Sequence, residues 1–292
     1  MIKKMNLSRL FVSSVLSISF FAFSGKVSAQ TPLIKNGETI AFLGNSITQF
    51  ATGNTGYLFL VANGLESKGI RVKTINAGIS GNVSTQMLDR LDKDVINKKP
   101  NWMTLSCGVN DVWHGKTGVP LEQYKINITK IVDKAQAAGI KVIILTATMI
   151  GEDQGNENNQ KLVAYNNFLK DLTKEKNCLL ADLNADMQAE ITKSNPLKGV
   201  NVLTNDGVHM NALGYQMMAI GILKTQGFTQ EEIVGLKEKW MDNQTEITPK
   251  FKLTVRQYQK LQQIAKSQGL SVIDLLNKDL GKVVDEYMKK GN

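Results

Sequence analysis

The sequence predicts an α/β fold, a parallel sheet covered by helices on both faces, followed by a helical C-terminal extension. Three observations carry that expectation. Five short apolar or β-branched runs recur along the chain, and stretches with apolar residues every third or fourth position lie between them. After residue 228 the runs stop while the helical spacing continues. With 292 residues, 42% of them apolar, the chain can bury a sizeable core, which excludes wholesale disorder.

Taken in order, the first segment reads as an export signal. Lys3, Lys4 and Arg9 precede an apolar stretch over residues 10–23, and Val27-Ser28-Ala29 follows with the small residues a signal peptidase needs. A membrane span would require about 20 apolar residues, and serines interrupt this shorter core. Cleavage is therefore expected after Ala29. No cysteine stands at that point to carry a lipid, and no later segment is apolar enough to cross a bilayer. The five candidate strands are residues 39–43, 72–76, 102–106, 142–146 and 179–183. Between them, Tyr57, Leu58, Val61 and Leu65 mark one helix, Tyr124, Ile128, Ile131 and Ala135 a second, and Leu162, Tyr165, Leu169 and Leu172 a third. Helices over residues 184–193 and 212–223 complete an α/β unit spanning 30–228. The extension, 229–292, opens with an amphipathic helix at 231–240 and a polar linker through Pro249. It closes with two helices separated by Gly269, the second opened by Ser271 with Asp274 three residues on.

Charge narrows the function classes. The 35 basic and 26 acidic residues give +9, but four of the basic residues and none of the acidic ones lie in the signal segment, leaving an unremarkable +5. No basic run is interleaved with aromatics, so nucleic acid is not an expected partner. Cys107 and Cys178 are too few for a zinc finger. Both sit in apolar runs and read as core thiols, with a disulfide left open for an oxidising compartment.

In a parallel α/β sheet, ligands sit beyond the carboxyl ends of the strands, so chemistry is sought just after each run. The first strand leads into Gly44-Asn45-Ser46-Ile47-Thr48, which sets a serine hydroxyl in a tight turn where it could be a nucleophile. It is not the α/β-hydrolase elbow, which needs glycine where Thr48 stands. The chain has two histidines, His114 and His209. Asp206-Gly207-Val208-His209 can form one turn in which the carboxylate holds Nδ1 and leaves Nε2 free for a serine. The equally simple reading is a helix cap. The loops after strands two and three, residues 76–82 and 107–111, are glycine-rich, and the N–H groups of Gly81 and Ser46 with the Asn110 amide could converge on one oxygen. Strand-to-helix turns alone would also account for those glycines.

Together these four blocks, Gly44-Asn45-Ser46, Gly81, Gly108-Val109-Asn110-Asp111 and Asp206-Gly207-Val208-His209, resemble in order and spacing those of the SGNH, or GDSL, hydrolases across residues 39–223. The resemblance implies a three-layer α/β/α sandwich, flavodoxin-like, with strand order 2-1-3-4-5. It implies Ser46 as nucleophile, His209 as base held by Asp206, and an oxyanion hole of Ser46, Gly81 and Asn110. No metal or organic cofactor is then needed, and activity should fall as pH drops through the titration of the imidazole base. One departure is Asn45, where the family has Asp; Asn keeps the reach and loses the charge.

Gly-Val-Asn-Asp-Val-Trp, at 108–113, is similar to the same stretch of bacterial acetylxylan esterases and related carbohydrate deacetylases. Trp113 and His114 are therefore candidate substrate-binding residues, Trp113 either at a sugar-binding rim or packed under its loop. The expectation is an exported serine esterase that removes short acyl groups, acetyl above all, from carbohydrates. A lysophospholipase or thioesterase with the same residues is one alternative. A glycan-binding protein that has lost turnover is another. The oligomeric state is not legible.

Overall fold

The computed structural model describes residues 31–197, 199–245 and 252–290. The expected signal segment, residues 1–29, lies outside the described residues. Contacts divide the chain into two units, one through Gln244 and the other from Thr245.

The first unit carries a five-stranded sheet in the order β2-β1-β3-β4-β5, every neighbouring pair parallel. The strands are β1 (Thr39–Gly44), β2 (Lys73–Gly78), β3 (Trp102–Ser106), β4 (Lys141–Leu145) and β5 (Leu179–Ala181). The middle strands β1, β3 and β4 are almost wholly buried, as near-continuous apolar runs covered on both faces should be. Edge strand β2 is largely exposed and polar, and edge strand β5 has three residues, both of which discourage pairing with another sheet.

β5 ends two residues earlier than the sequence pattern predicts. Asp182 turns out of the strand and caps α8 (Leu183–Ser194), its Oδ1 accepting from Ala185 N–H and from the Thr146 hydroxyl. The remaining helices of the unit are α1 (Ser46–Gln49), α2 (Tyr57–Glu66), α3 (Ser84–Asp89), α4 (Leu91–Asp94), α5 (Val109–Trp113), α6 (Leu121–Ala137), α7 (Glu157–Glu175), α9 (Ala212–Thr225) and α10 (Gln230–Met241).

Right-handed crossovers put α2 on one face of the sheet and α6 and α7 on the other, because the chain steps one way from β1 to β2 and the opposite way thereafter. Accordingly α2 packs with α9, which in turn meets α8 and β5, while α3 packs with α6, and α6 with α7 and β4. This is the expected three-layer sandwich. Two short helices, α3 and α4, fill the crossover from β2 to β3, where the sequence reading placed none. They bury Met87 and Leu91 at a four-residue spacing but break between them at Arg90, whose side chain turns inward.

The sequence reading began the extension at residue 229, and the structure moves that start. Helix α10 belongs to the first unit: Ile233, Leu236 and Trp240 are buried in its core, and the Trp240 indole donates to Asn63 Oδ1 on α2 at 2.8 Å. The second unit comprises α11 (Val255–Ser267) and α12 (Val272–Lys290), packed on each other. Both cysteines are free thiols, Cys107 buried and Cys178 partly so. Among the described residues, no helix is long and apolar enough to cross a membrane.

Candidate active site

β1 runs from a fully buried core directly to the site. At its end Gly44 is required, because a side chain there would collide with Thr48, and Asn45 then caps α1 by accepting the Ile47 N–H on Oδ1 at 3.0 Å. Asn45 is 2% exposed. The capping bond needs only a side-chain oxygen, so Asn performs it as Asp would. Ser46 is thereby fixed as the first helical residue, where its N–H has no partner within the helix. From behind, the turn is held by Tyr215, whose hydroxyl donates to Ile47 O at 3.1 Å, and by Tyr57, hydrogen-bonded to the Thr48 hydroxyl at 2.9 Å.

His209 reaches this serine from a distant loop. Its Nε2 lies 3.0 Å from Ser46 Oγ, and its Nδ1 lies 2.7 Å from Asp206 Oδ2. The second carboxylate oxygen accepts the N–H groups of Val208 and His209 at 3.0 and 2.8 Å, so Asp206 is gripped by the turn whose histidine it orients. Burial pushes the Asp206 carboxyl up, but hydrogen bonds from the His209 ring, the His209 N–H and the Val208 N–H outweigh it and hold the group below the usual carboxylate range. Gly207 adopts φ +93°, and its carbonyl accepts the Gly151 N–H at 2.7 Å. The helix-cap reading of this turn does not hold: α9 is capped by Asn211, not by His209.

Gly81 lies on the exposed loop after β2, at φ +78°, with open space where a side chain would begin. Gly78, by contrast, abuts the backbone of Thr48 and Gln49, and its role is to let β2 pass close to the serine turn. Asn110, 3% exposed, is set by Gly108 at φ +126° and donates one amide N–H to Asn82 O at 3.0 Å. Among the described residues, the second N–H of that amide and the N–H groups of Ser46 and Gly81 have no partner. Trp113, 44% exposed, does not pack under its loop, and His114 beside it also faces solvent.

Three residues that sequence reasoning missed complete the architecture. Phe50, 52% exposed, stands with its ring centroid 5.9 Å from that of His209 and forms an apolar wall beside the base. Arg90 is nearly buried, and its guanidinium donates to Gly44 O, Ala77 O and Asn82 Oδ1 at 2.9, 2.9 and 2.6 Å, while pairing with Asp94. It therefore ties the ends of β1 and β2 to the segment that supports Asn110. Glu152, in the loop after β4, accepts the N–H groups of Val202, Leu203 and Thr204 and the Thr204 hydroxyl at 2.6 to 2.8 Å. The Thr204 oxygen in turn accepts the Gly207 N–H at 3.1 Å, which links Glu152 to the Asp206–His209 turn. Neither Arg90 nor Glu152 is recognisable locally, because the contacts that matter here, from Arg90 to the Gly44 and Ala77 carbonyls and from the N–H groups of residues 202–204 to Glu152, join backbone groups remote in the chain.

Behind Asn110, the neighbouring Asp111 is buried and accepts the Ser84 N–H at 2.9 Å. Burial raises its pKa despite that bond. Among the described residues, no cluster of histidine, cysteine, aspartate and glutamate side chains is arranged to hold a metal ion. The arrangement as a whole offers a hydroxyl, an imidazole in line with it, a carboxylate behind the imidazole, and unpaired donors at neighbouring strand ends.

Residues 42–217 match the GDSL-like lipase/acylhydrolase family. An acetylxylan esterase of Geobacillus stearothermophilus is 28% identical over 217 residues, covering 67% of this chain and 96% of that protein. The esterase TesA of Pseudomonas aeruginosa is 31% identical over 120 residues, 41% of this chain and 55% of its own length. The crystal structure of the acetyl xylan esterase AlAXEase superposes with a TM-score of 0.60 at 34% identity, covering 64% of this chain and 98% of that one.

Proposed function

Because the chain belongs to the GDSL-like lipase/acylhydrolase family and is a serine carboxylic ester hydrolase, we propose that it removes acetyl groups from an acylated carbohydrate through an acyl-enzyme on Ser46. The single observation that carries the chemistry is the hydrogen-bonded line from Asp206 through His209 to Ser46, at 2.7 and 3.0 Å. In the first half-reaction His209 Nε2 takes the hydroxyl proton while Ser46 Oγ attacks the ester carbonyl. Charge that develops on the carbonyl oxygen is met by the N–H groups of Ser46 and Gly81 and by the free amide N–H of Asn110. Collapse breaks the bond to the sugar oxygen, which leaves with the proton held by His209. Water then repeats the sequence, releasing acetate and restoring Ser46. Throughout, Asp206 remains a carboxylate and stabilises the transient imidazolium.

The carbohydrate assignment rests on the acetylxylan esterases among the relatives and on exposed Trp113, whose indole suits the face of a sugar ring. His114 extends that surface. Export follows from the signal-like segment at residues 1–29, which would release a protein beginning near residue 30. A second reading, lipid acyl esters, is favoured by one observation: Phe50 places an exposed apolar wall directly beside His209.

A series of p-nitrophenyl acetate, butyrate and octanoate, run with acetylated xylo-oligosaccharides, separates the two. Preference for acetate, with acetate released from the oligosaccharide, supports the deacetylase. Preference for octanoate transfers the assignment to lipid esters and leaves the site unchanged. Glycan binding without any Ser46-dependent turnover would turn the assignment to a binding protein.

A further inference from the structure

The C-terminal hairpin is well formed locally and poorly buried. Thr254 and Gln257 cap α11 reciprocally, Gly269 turns the chain at φ +69°, and Ser271 caps α12 by accepting the Asp274 N–H at 3.1 Å. Yet Ala265 and Leu275 are the sole buried side chains of the two helices. A unit running from Thr245 to Asn292 falls near the size at which a single core stops sufficing without oligomerisation, metals or disulfides.

The uncovered face of α12 is patterned. Ile273, Leu276, Leu280, Val283 and Tyr287 follow one another at alternating steps of three and four, the spacing of a helix seam that packs against another helix. α11 leaves most of this seam open: Ile273 is 69%, Val283 46% and Tyr287 71% exposed, while Leu276 and Leu280 are half-buried. Length adds to the deficit, since α12 has 19 residues against 13 in α11. At 1.5 Å per residue it overruns its partner by about 9 Å. Together with Val255, Tyr258, Val284 and Met288, which are 47–75% exposed, this face leaves several hundred Å² of apolar surface open, on the order of what each partner contributes to a stable interface.

We propose that this face is a dimer interface, in which α12 of one copy packs its Ile273–Tyr287 seam against α12 of a second copy across a two-fold axis. A seam of one helix meeting itself is automatically self-complementary, as a closed two-fold contact requires. The second copy supplies the core that the hairpin lacks, giving a four-helix arrangement from two hairpins. This pairing is independent of the ester chemistry.

Sedimentation equilibrium on the full chain, from about 1 to 100 µM, tests it against the Ile273→Lys/Tyr287→Lys double variant. Both positions are largely exposed, so lysine costs the isolated hairpin little. Val234→Lys, at an exposed apolar position of α10, serves as the control. Expected is a mass twice that of the single chain for the parent and the control, with at least about a 100-fold weaker association in the double variant. Unchanged p-nitrophenyl acetate turnover in that variant shows that the hydrolase unit is intact. A single-chain mass for the parent at the highest concentration, a dimer that survives the double substitution, or one abolished by Val234→Lys would each overturn the proposal.

Discussion

Replacing Glu152 by Gln tests whether the turn that carries Asp206 and His209 is held in place from the loop after β4. The carboxylate accepts Val202 N–H on one oxygen and three donors on the other, at 2.6 to 2.8 Å. Gln retains the shape and one oxygen, but it loses the charge and points an amide N–H toward that of Val202. Hydrogen bonds to a charged acceptor contribute about 1.5–3 kcal/mol and neutral ones about 1, so four strong bonds becoming three ordinary ones weakens the tether by at least about 3 kcal/mol. At 1.36 kcal/mol per tenfold, full transmission to the site would lower kcat/KM about 100-fold, and partial re-closing of the loop brings the expected loss to about 10- to 100-fold. The assay is steady-state hydrolysis of p-nitrophenyl acetate. The loss should fall mainly on kcat, since Glu152 reaches the site through Thr204 and Gly207. Glu152→Ala, which strands three backbone donors, should lose more. Unaltered kcat in the Gln variant, or a change confined to KM, would refute the reasoning.

Other outcomes follow from the same contacts. Arg90→Met should lower stability by about 3–5 kcal/mol and reduce turnover, because the carbonyls of Gly44 and Ala77 and the Asp94 carboxylate lose a nearly buried partner; thermal melts with parallel kinetics measure both. Gly81→Ala should cost about 1 kcal/mol for its left-handed backbone and keep most activity, since the N–H remains and nothing crowds the new methyl. Gly78→Ala, which drives a methyl into the Thr48–Gln49 backbone, should instead unfold readily, as a denaturant titration would reveal. Asp206 titrates lower in the folded protein than in the unfolded chain, so its contribution to stability is present above the unfolded value of about 3.9 and fades as pH falls through the folded one. The melting temperature of Asp206→Asn should therefore lie below that of the parent near neutrality, with the gap closing as pH falls below the unfolded carboxylate value.

Much of the fold is legible in the sequence because its central strands are continuous apolar runs and its long helices keep their spacing. β3 matches its predicted bounds at Trp102 and Ser106. The misreadings share a cause: a boundary set by a remote contact. β5 stops where Asp182 turns to cap α8, and α10 joins the first unit because Trp240 finds Asn63 on α2. At the site, Ser46, Asp206 and His209 are legible through the resemblance of four short blocks to the SGNH hydrolases, and the structure joins the three side chains by hydrogen bonds. Arg90 and Glu152 are not: the Arg90–Asp94 pair reads as an ordinary i,i+4 helix contact, and the bonds of both side chains to distant backbone groups leave no local pattern. Phe50 follows the serine turn by four residues and reads as one more exposed aromatic until His209 is set beside it.

The most direct test of a Ser46 acyl-enzyme is covalent labelling with a p-nitrophenyl alkylphosphonate, followed by peptide mass spectrometry and residual ester hydrolysis. The account predicts one adduct per chain, on the peptide containing Ser46, with activity lost in proportion and no labelling in Ser46→Ala or His209→Ala. An adduct on another residue, or ester turnover that persists in Ser46→Ala, would contradict it.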